Sequence, residues 1–566
     1  MRLRTIALIA ALVVLVGLLG LDLLRYGLSL RSFEGEWVPA RTVPNTDVNP
    51  YGANFFLARE VEPWKRDRTV EMARQAGLGW AKQQFAWAEI EPLRKGEFVD
   101  PVSGASSWAK FDQIVDLYRS QGLQVIARLD RAPVWARLPD TRAETPPTDF
   151  QDFGDFVYAF VKHFRGRVQY IQIWNEPNIY PEWGEQAVDP VAYTQILQIA
   201  YQRAKEADPN IYVLSAPLAI TLGEPHPEPG RWRSMPDLLF LEAMYEAGAA
   251  STFDILSANA FGFDLPPDDP PDPDVLNFRR VELQREIMER YGDGGKAVWF
   301  NEYGWNAAPA SFSDEQLIWK RVSEEKQAEY TLQGIEFGRQ NWPWAGVFNL
   351  WYFRQTGQQY TPNEAAYYFR LVDVDFTPRR VYDAVQDATN ALFVAPAGHF
   401  EETNPAVTAD ADWHNVIAPQ ASGQALVESD VPGASLTFTF RGHSADLIAR
   451  RGPDGGRLLV TLDGRNVAGL PSDAQGRSYL DLSAAATEWQ ARLPIASGLT
   501  PAQHVVRLTI VDDPSAPGSV DAFEVNAGRP PAFPILSVGL LATGLLIAAL
   551  ALVLDIRRRP QREQFF

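Results

Sequence analysis

Between residues 49 and 390 the chain alternates short apolar runs with amphipathic stretches of helical period, and this alternation restricts the fold more than any other feature. Apolar runs bounded by turn signals suit buried strands, whereas apolar positions recurring every three or four residues suit helices packed on a sheet. Strands are predicted at 52–57, 80–87 and 123–129, within 168–177, and at 211–216, 253–261, 297–300 and 345–351. Helices are predicted between and after them at 65–76, 109–121, 152–164, 193–207, 238–247, 275–291, 324–338 and 380–392. Eight such units favour a closed (β/α)8 TIM barrel over an open doubly wound sheet, and no glycine-rich dinucleotide fingerprint follows the first strand.

Two of the strands run into a carboxyl. The fourth leads into Trp174-Asn175-Glu176-Pro177 and the seventh into Asn301-Glu302-Tyr303-Gly304-Trp305. Active sites of such barrels lie at the C-terminal ends of the strands, so Glu176 and Glu302 are expected to share one cleft. A facing pair of carboxyls suits cleavage of a glycosidic bond, because the leaving oxygen must be protonated while the anomeric carbon is attacked. Long loops at 131–147, 217–237, 264–274 and 354–377 are expected to build a cleft or lid there. Arg128 and Asp130 end the third strand and either touch substrate or pair with one another. Tyr303 and Asn259 are further candidates for sugar contact. Trp135, Trp183, Trp232 and Trp305 lie on or beside these loops, where stacking on a sugar face and packing in the core are both open.

Composition excludes other chemistries. The formal net charge of −19 opposes nucleic acid or an anionic membrane surface as the main partner. With no cysteine there is no disulfide, thiolate nucleophile or cysteine metal site. The six histidines, at 163, 226, 399, 414, 443 and 504, show no metal-ligand spacing, and the proline-rich acidic run 266–274 lacks the glycine of an EF-hand loop. No cofactor and no metal are expected.

The ends have a different character. Residues 6–24 are apolar apart from Asp22, and 535–554 carry no charge before Asp555 and Arg557-Arg558-Arg559. Both approach the roughly twenty residues that cross a bilayer. The first reads as an uncleaved signal anchor, with a removed signal peptide as the alternative. By the positive-inside rule the basic tail faces the cytoplasm and the main domains lie outside the cell membrane. The division expected is an anchor at 1–30, a barrel at 45–393, a linker at 394–412, a β-sandwich at 413–527, a transmembrane helix at 533–555 and a basic tail at 556–566. The sandwich rests on short β runs separated by turns such as Asp463-Gly464.

Trp174-Asn175-Glu176-Pro177-Asn178 on the fourth strand, with Glu302 on the seventh, resembles the clan-A retaining glycoside hydrolases, nearest the families around family thirty-nine, over roughly residues 49–390. The resemblance implies that Glu176 is the general acid/base, Glu302 the nucleophile, Asn175 the partner of the sugar 2-hydroxyl and Trp351 the floor of the sugar site. Such enzymes often carry His-x-Tyr at the end of the sixth strand, the tyrosine donating to the nucleophile. This chain has Asn259 and Phe261 there instead. The C-terminal part looks like galactose-binding-type jelly rolls, which act as carbohydrate-binding modules or spacers.

The function expected is that of a membrane-anchored retaining O-glycosidase acting on an extracytoplasmic poly- or oligosaccharide. The alternative is a non-catalytic cell-surface glycan-binding protein on a glycosidase-like barrel.

Overall fold

The computed structural model describes residues 2–31, 37–356, 360–500, 502–511, 516–527 and 533–557. Eight parallel strands form the central sheet: β1 (Tyr51–Phe55), β2 (Trp80–Ala86), β3 (Gln124–Asp130), β4 (Tyr170–Ile173), β5 (Tyr212–Leu214), β6 (Leu256–Phe261), β7 (Val298–Gly304) and β8 (Ala345–Leu350). They follow one another around the sheet, with β1 beside β8. A parallel bridge from Leu214 to Ile255 joins β5 to the start of β6 and closes the ring. Helices alternate with the strands, from Pro63–Gln75 to Arg380–Thr389, and form the outer layer. Asp149, Asp189 and Ser323 cap three of them by accepting hydrogen bonds from first-turn N–H groups.

Period-two alternation along the strands explains why the chemistry sits at one end of the barrel. The N-terminal layer is apolar: Trp80, Ile126, Tyr170, Tyr212, Trp299 and Val347 form one buried cluster. Within it Tyr170 stacks on Trp299 at 4.9 Å and on Tyr212 at 5.0 Å. Gly52 leaves room for this packing, since a Cβ there would meet the Asn349 side chain and Trp80. Two residues further along several strands the same face turns polar, with Asn54, Lys82, Gln172, Asn259 and Asn349 all buried. One step beyond lies the open C-terminal rim.

On β7 the register slips against both neighbours between Phe300 and Tyr303. Such a bulge places two successive residues on one face and re-aims those that follow. Glu302 accordingly lines the cleft, while Tyr303 is fully buried on the helical side and donates to Thr331 O at 2.7 Å.

The C-terminal part consists of antiparallel sheets. A four-stranded sheet runs in the order Gly398–Glu401, Ala522–Asn526, Ser444–Arg451 and Glu488–Ala496. A larger sheet is built on Ser435–Gly442, Ala502–Ile510 and Arg457–Leu462, and a smaller one on His414–Ile417, Ala425–Ser429 and Gly518–Val520. Phe438 and Phe523 stack at 4.2 Å between the first two sheets. The stretch 394–412, expected to be a linker, contains the strands Gly398–Glu401 and Val407–Ala409. Buried Phe400 and Ala406 tie it into the sandwich core, a contribution hidden by its alanine, proline and acidic content.

This sandwich meets the N-terminal rim of the barrel, away from the cleft. Asp47 accepts from Glu401 N at 2.8 Å and from Asn404 Nδ2 at 2.9 Å, and Asn210 accepts from Ile417 N at 3.1 Å. At the two ends of the chain, the helices Arg2–Arg31 and Ile535–Arg557 are long and apolar enough to cross a membrane by length and composition. They pack antiparallel: Thr5 donates to Asp555 at 2.7 Å, Ser537 donates to Asp22, and Tyr26 meets Phe533 edge-on at 5.1 Å. The expected basic tail beyond Arg557 lies outside the described residues.

Candidate active site

The end of β4 turns sharply. Trp174 and Glu176 both adopt left-handed backbone, with φ of 71° and 39°. Such conformations are costly for residues other than glycine and cluster at functional sites. Trp174 is locked by its indole, which donates to Glu182 O at 3.1 Å and meets Phe153 edge-on. The Glu176 N–H donates to Pro217 O at 3.1 Å. The turn thereby carries Asn175 and Glu176 into the mouth of the barrel.

Glu176 and Glu302 line the same cleft. Its lining combines polar side chains, among them Gln84, Arg128, Arg131 and Asn175, with a cluster of aromatics, Phe56, Phe261, Trp319, Trp351 and Tyr360. Aromatic faces together with hydrogen-bonding groups suit a sugar ring, which presents apolar C–H faces and a polar edge. Asn175 Oδ1 is buried and has no hydrogen-bond partner among the described residues, an acceptor ready for a hydroxyl donor.

The electrostatics separate the two carboxyls. Burial, then repulsion from Glu302, pushes the Glu176 carboxyl well above the usual carboxylate range, against a 2.6 Å hydrogen bond donated by Asn259 Nδ2. Glu302 has a cation beside it, with Lys82 Nζ 3.7 Å from Oε1. Burial thus favours the protonated form of Glu176, while Glu302 has a lysine beside it.

Of the residues expected at the site, Glu176, Glu302, Asn175, Trp351 and Arg128 line the cleft, and Asn259 reaches it through Glu176. Arg128 also pairs with Asp130, Nε to Oδ2 at 2.9 Å. Three expectations require correction. Tyr303 faces the helices because of the β7 bulge. Trp305 is 1% exposed, donates its indole N–H to Leu265 O at 2.8 Å and fills the space left by Gly262. Trp135 donates to Glu91 O at 2.8 Å and packs edge-on against Trp87, pinning its loop to the barrel wall. Trp183 is buried against Trp174, and Trp232 packs on the main core from a small hairpin in the 217–237 loop.

Sequence reading missed Lys82, Gln84, Arg131 and Trp319. For the first two a signal existed: period two from Trp80 puts them on the inner face, and a lysine inside an otherwise buried strand is unusual. Arg131 and Trp319 lie on loops with no periodic pattern to place them.

Among the described residues one group of carboxylates, Glu401, Glu402 and Asp521, brings oxygens within 4.8 Å of one another. It is buried in the sandwich, and burial raises Asp521 to about 7 and Glu402 well above the carboxylate range. Protonation, or a hard cation that takes oxygen ligands, would relieve the crowded charge. This group lies apart from the cleft.

Fold and cleft together define a (β/α)8 barrel with two carboxyls at its C-terminal rim. No family model and no curated protein matches the chain. Similar solved structures include a family 39 glycoside hydrolase from the gut symbiont Bacteroides cellulosilyticus WH2, 18% identical, covering 84% of this chain and 82% of that one, with a TM-score of 0.44. A monomeric beta-xylosidase from Caulobacter crescentus CB15 is 14% identical over 83% of this chain and 98% of its own, with a TM-score of 0.44. A glucosidase from Croceicoccus marinus is 14% identical over 84% and 98%, also with a TM-score of 0.44. What each of them acts on is a property of that protein, and the chemistry of this chain rests on its own side chains.

Proposed function

We propose that this protein is a retaining O-glycosidase that hydrolyses an extracytoplasmic poly- or oligosaccharide. The observation that carries this reading is the pair Glu176 and Glu302, delivered by two different strands to one cleft, with the first pushed toward its protonated form by burial and the second beside Lys82. In the first step Glu302 attacks the anomeric carbon and forms a glycosyl ester, while Glu176 gives its proton to the departing oxygen. In the second, Glu176 takes a proton from water, whose oxygen displaces Glu302. Asn175 accepts a hydrogen bond from the sugar 2-hydroxyl, and Trp351 forms the floor under the ring.

The barrel is assigned the catalysis and the sandwich, which meets the opposite rim, a spacer role. The two terminal helices are assigned to the membrane. Their side-by-side packing supports retention of the first helix rather than its removal as a signal peptide.

The test is cleavage of a panel of activated aryl glycosides and oligosaccharides, with NMR of the first-formed anomer. Hydrolysis with retention is expected, Glu302→Ala abolishes it with partial rescue by azide, and Glu176→Gln spares only substrates with good leaving groups. The altered sixth strand, with Asn259 and Phe261, favours a second reading as a glycan-binding protein. Binding of glycans with no cleavage of any substrate in the panel would establish that reading in place of the first.

A further inference from the structure

Lys82 stands in the middle of β2, on the same strand face as Trp80 and Gln84. Its side chain is 2% exposed, and its ammonium, 3.7 Å from Glu302 Oε1, makes no hydrogen bond among the described residues. A buried lysine with three unused donors is expensive, and a methionine would fill the same space at no electrostatic cost. The charged groups facing it are Glu302 from β7, Arg128 and Asp130 from β3, and Glu176 beyond β4.

The surroundings of Glu302 make the placement meaningful. On β6, Asn259 gives its amide N–H to Glu176 and Phe261 has no polar side-chain atom. No hydrogen bond from a described residue reaches the Glu302 carboxylate, which leaves Lys82 as its cationic partner. The nucleophile in a displacement must be anionic, aimed and only loosely held, and an ammonium just beyond hydrogen-bonding distance meets those needs.

We propose that Lys82 is a positioning residue for the displacement, its ammonium holding the Glu302 carboxylate directed at the anomeric carbon in the place where the sixth strand supplies no donor. The inference rests on the glycosidase reading above. It has a consequence in solution: burial, opposed chiefly by Glu302, lowers Lys82 to about 7, so the charge that supports Glu302 is lost as pH rises through neutrality. Glu176 is pushed upward as well, and the comparison of wild type with Lys82→Arg separates its titration from that of Lys82.

Two substitutions in the full-length protein test this. Lys82→Arg keeps a cation at every working pH, so the alkaline limb of kcat/KM is expected to move up by about one unit or more. Lys82→Met keeps the volume and removes the charge; kcat on an activated aryl glycoside is expected to fall about 100-fold with KM nearly constant, the pattern of a group acting on the transition state. Thermal melting of both variants confirms that they fold. A second readout needs no turnover: titration of Lys82 followed by NMR of its side chain, with Lys82→Met as the assignment control, is expected to show the lysine losing its proton at lower pH in Glu302→Gln than in wild type, because the carboxylate that raises it is gone. An unmoved alkaline limb in Lys82→Arg, together with an unmoved Lys82 titration in Glu302→Gln, overturns the inference. If wild type cleaves no glycoside while the Lys82 titration still shifts, the positioning contact stands and the glycosidase reading is what fails.

Discussion

Asn259 Nδ2 lies 2.6 Å from Glu176 Oε1, so the sixth strand of the barrel serves Glu176 and not Glu302. In the proposed mechanism such a donor stabilises the charged form of Glu176, the form that would accept a proton from water in the second half of the reaction.

Replacing Asn259 by leucine therefore slows the second half more than the first. The intermediate should accumulate, giving a burst of aryl product followed by a steady state reduced by about tenfold, with KM falling alongside kcat. Stopped-flow measurement with a dinitrophenyl glycoside checks this; equal slowing of burst and steady state would remove the role from Asn259.

Asn175 offers a buried, unpartnered acceptor to the cleft. Asn175→Ala should lower kcat/KM about 100-fold for substrates with a 2-hydroxyl, in line with a hydrogen bond strengthened in the transition state. Against a 2-deoxy substrate the same variant should lose far less, and the ratio of the two losses is the measurement.

A third expectation concerns stability. Asp237 is 0% exposed and accepts from Arg280 Nε at 3.0 Å and from Gln284 Nε2 at 3.0 Å, while Arg280 also donates to Pro273 O at 2.7 Å. The pair thus holds the 264–274 loop to the helix Asp237–Glu246. Removing one partner of such a buried pair costs about 3–5 kcal/mol. Asp237→Ala should lower the thermal midpoint of the barrel and open that loop to limited proteolysis, read by melting and by mass mapping of the first cuts.

The acidic group in the sandwich predicts a pH slope. Burial raises Asp521 from its ordinary 3.8 to about 7, so the folded form holds a proton that the unfolded chain has released. The contribution is complete below the unfolded value and is lost as pH rises toward 7. In the presence of chelator, the melting temperature should fall between pH 5 and pH 8, and Asp521→Asn should flatten part of that fall. Differential scanning calorimetry of both proteins decides it.

The barrel was legible because its signal is repeated: each strand–helix unit carries the same period change, and an error in one is outvoted by the others. Glu176 and Glu302 were legible because each ends a buried run. Side-chain direction at the strand ends was not. The bulge on β7 that turns Tyr303 outward leaves no mark in the residue types, and indoles on loops read alike whether they face a ligand or, like Trp305, a glycine-lined slot. The strand Gly398–Glu401 was hidden because its pairing partner, Ala522–Asn526, lies at the far end of the domain.

The antiparallel contact between the first and last helices turns everything between them into a closed loop of polypeptide. A single cut in a surface segment such as 264–274 would leave two fragments still joined, through the barrel wall and again where the chain ends meet. With both terminal helices in a membrane, as proposed, freeing the segment between them demands two separate cuts, one beyond Arg31 and one ahead of Ile535.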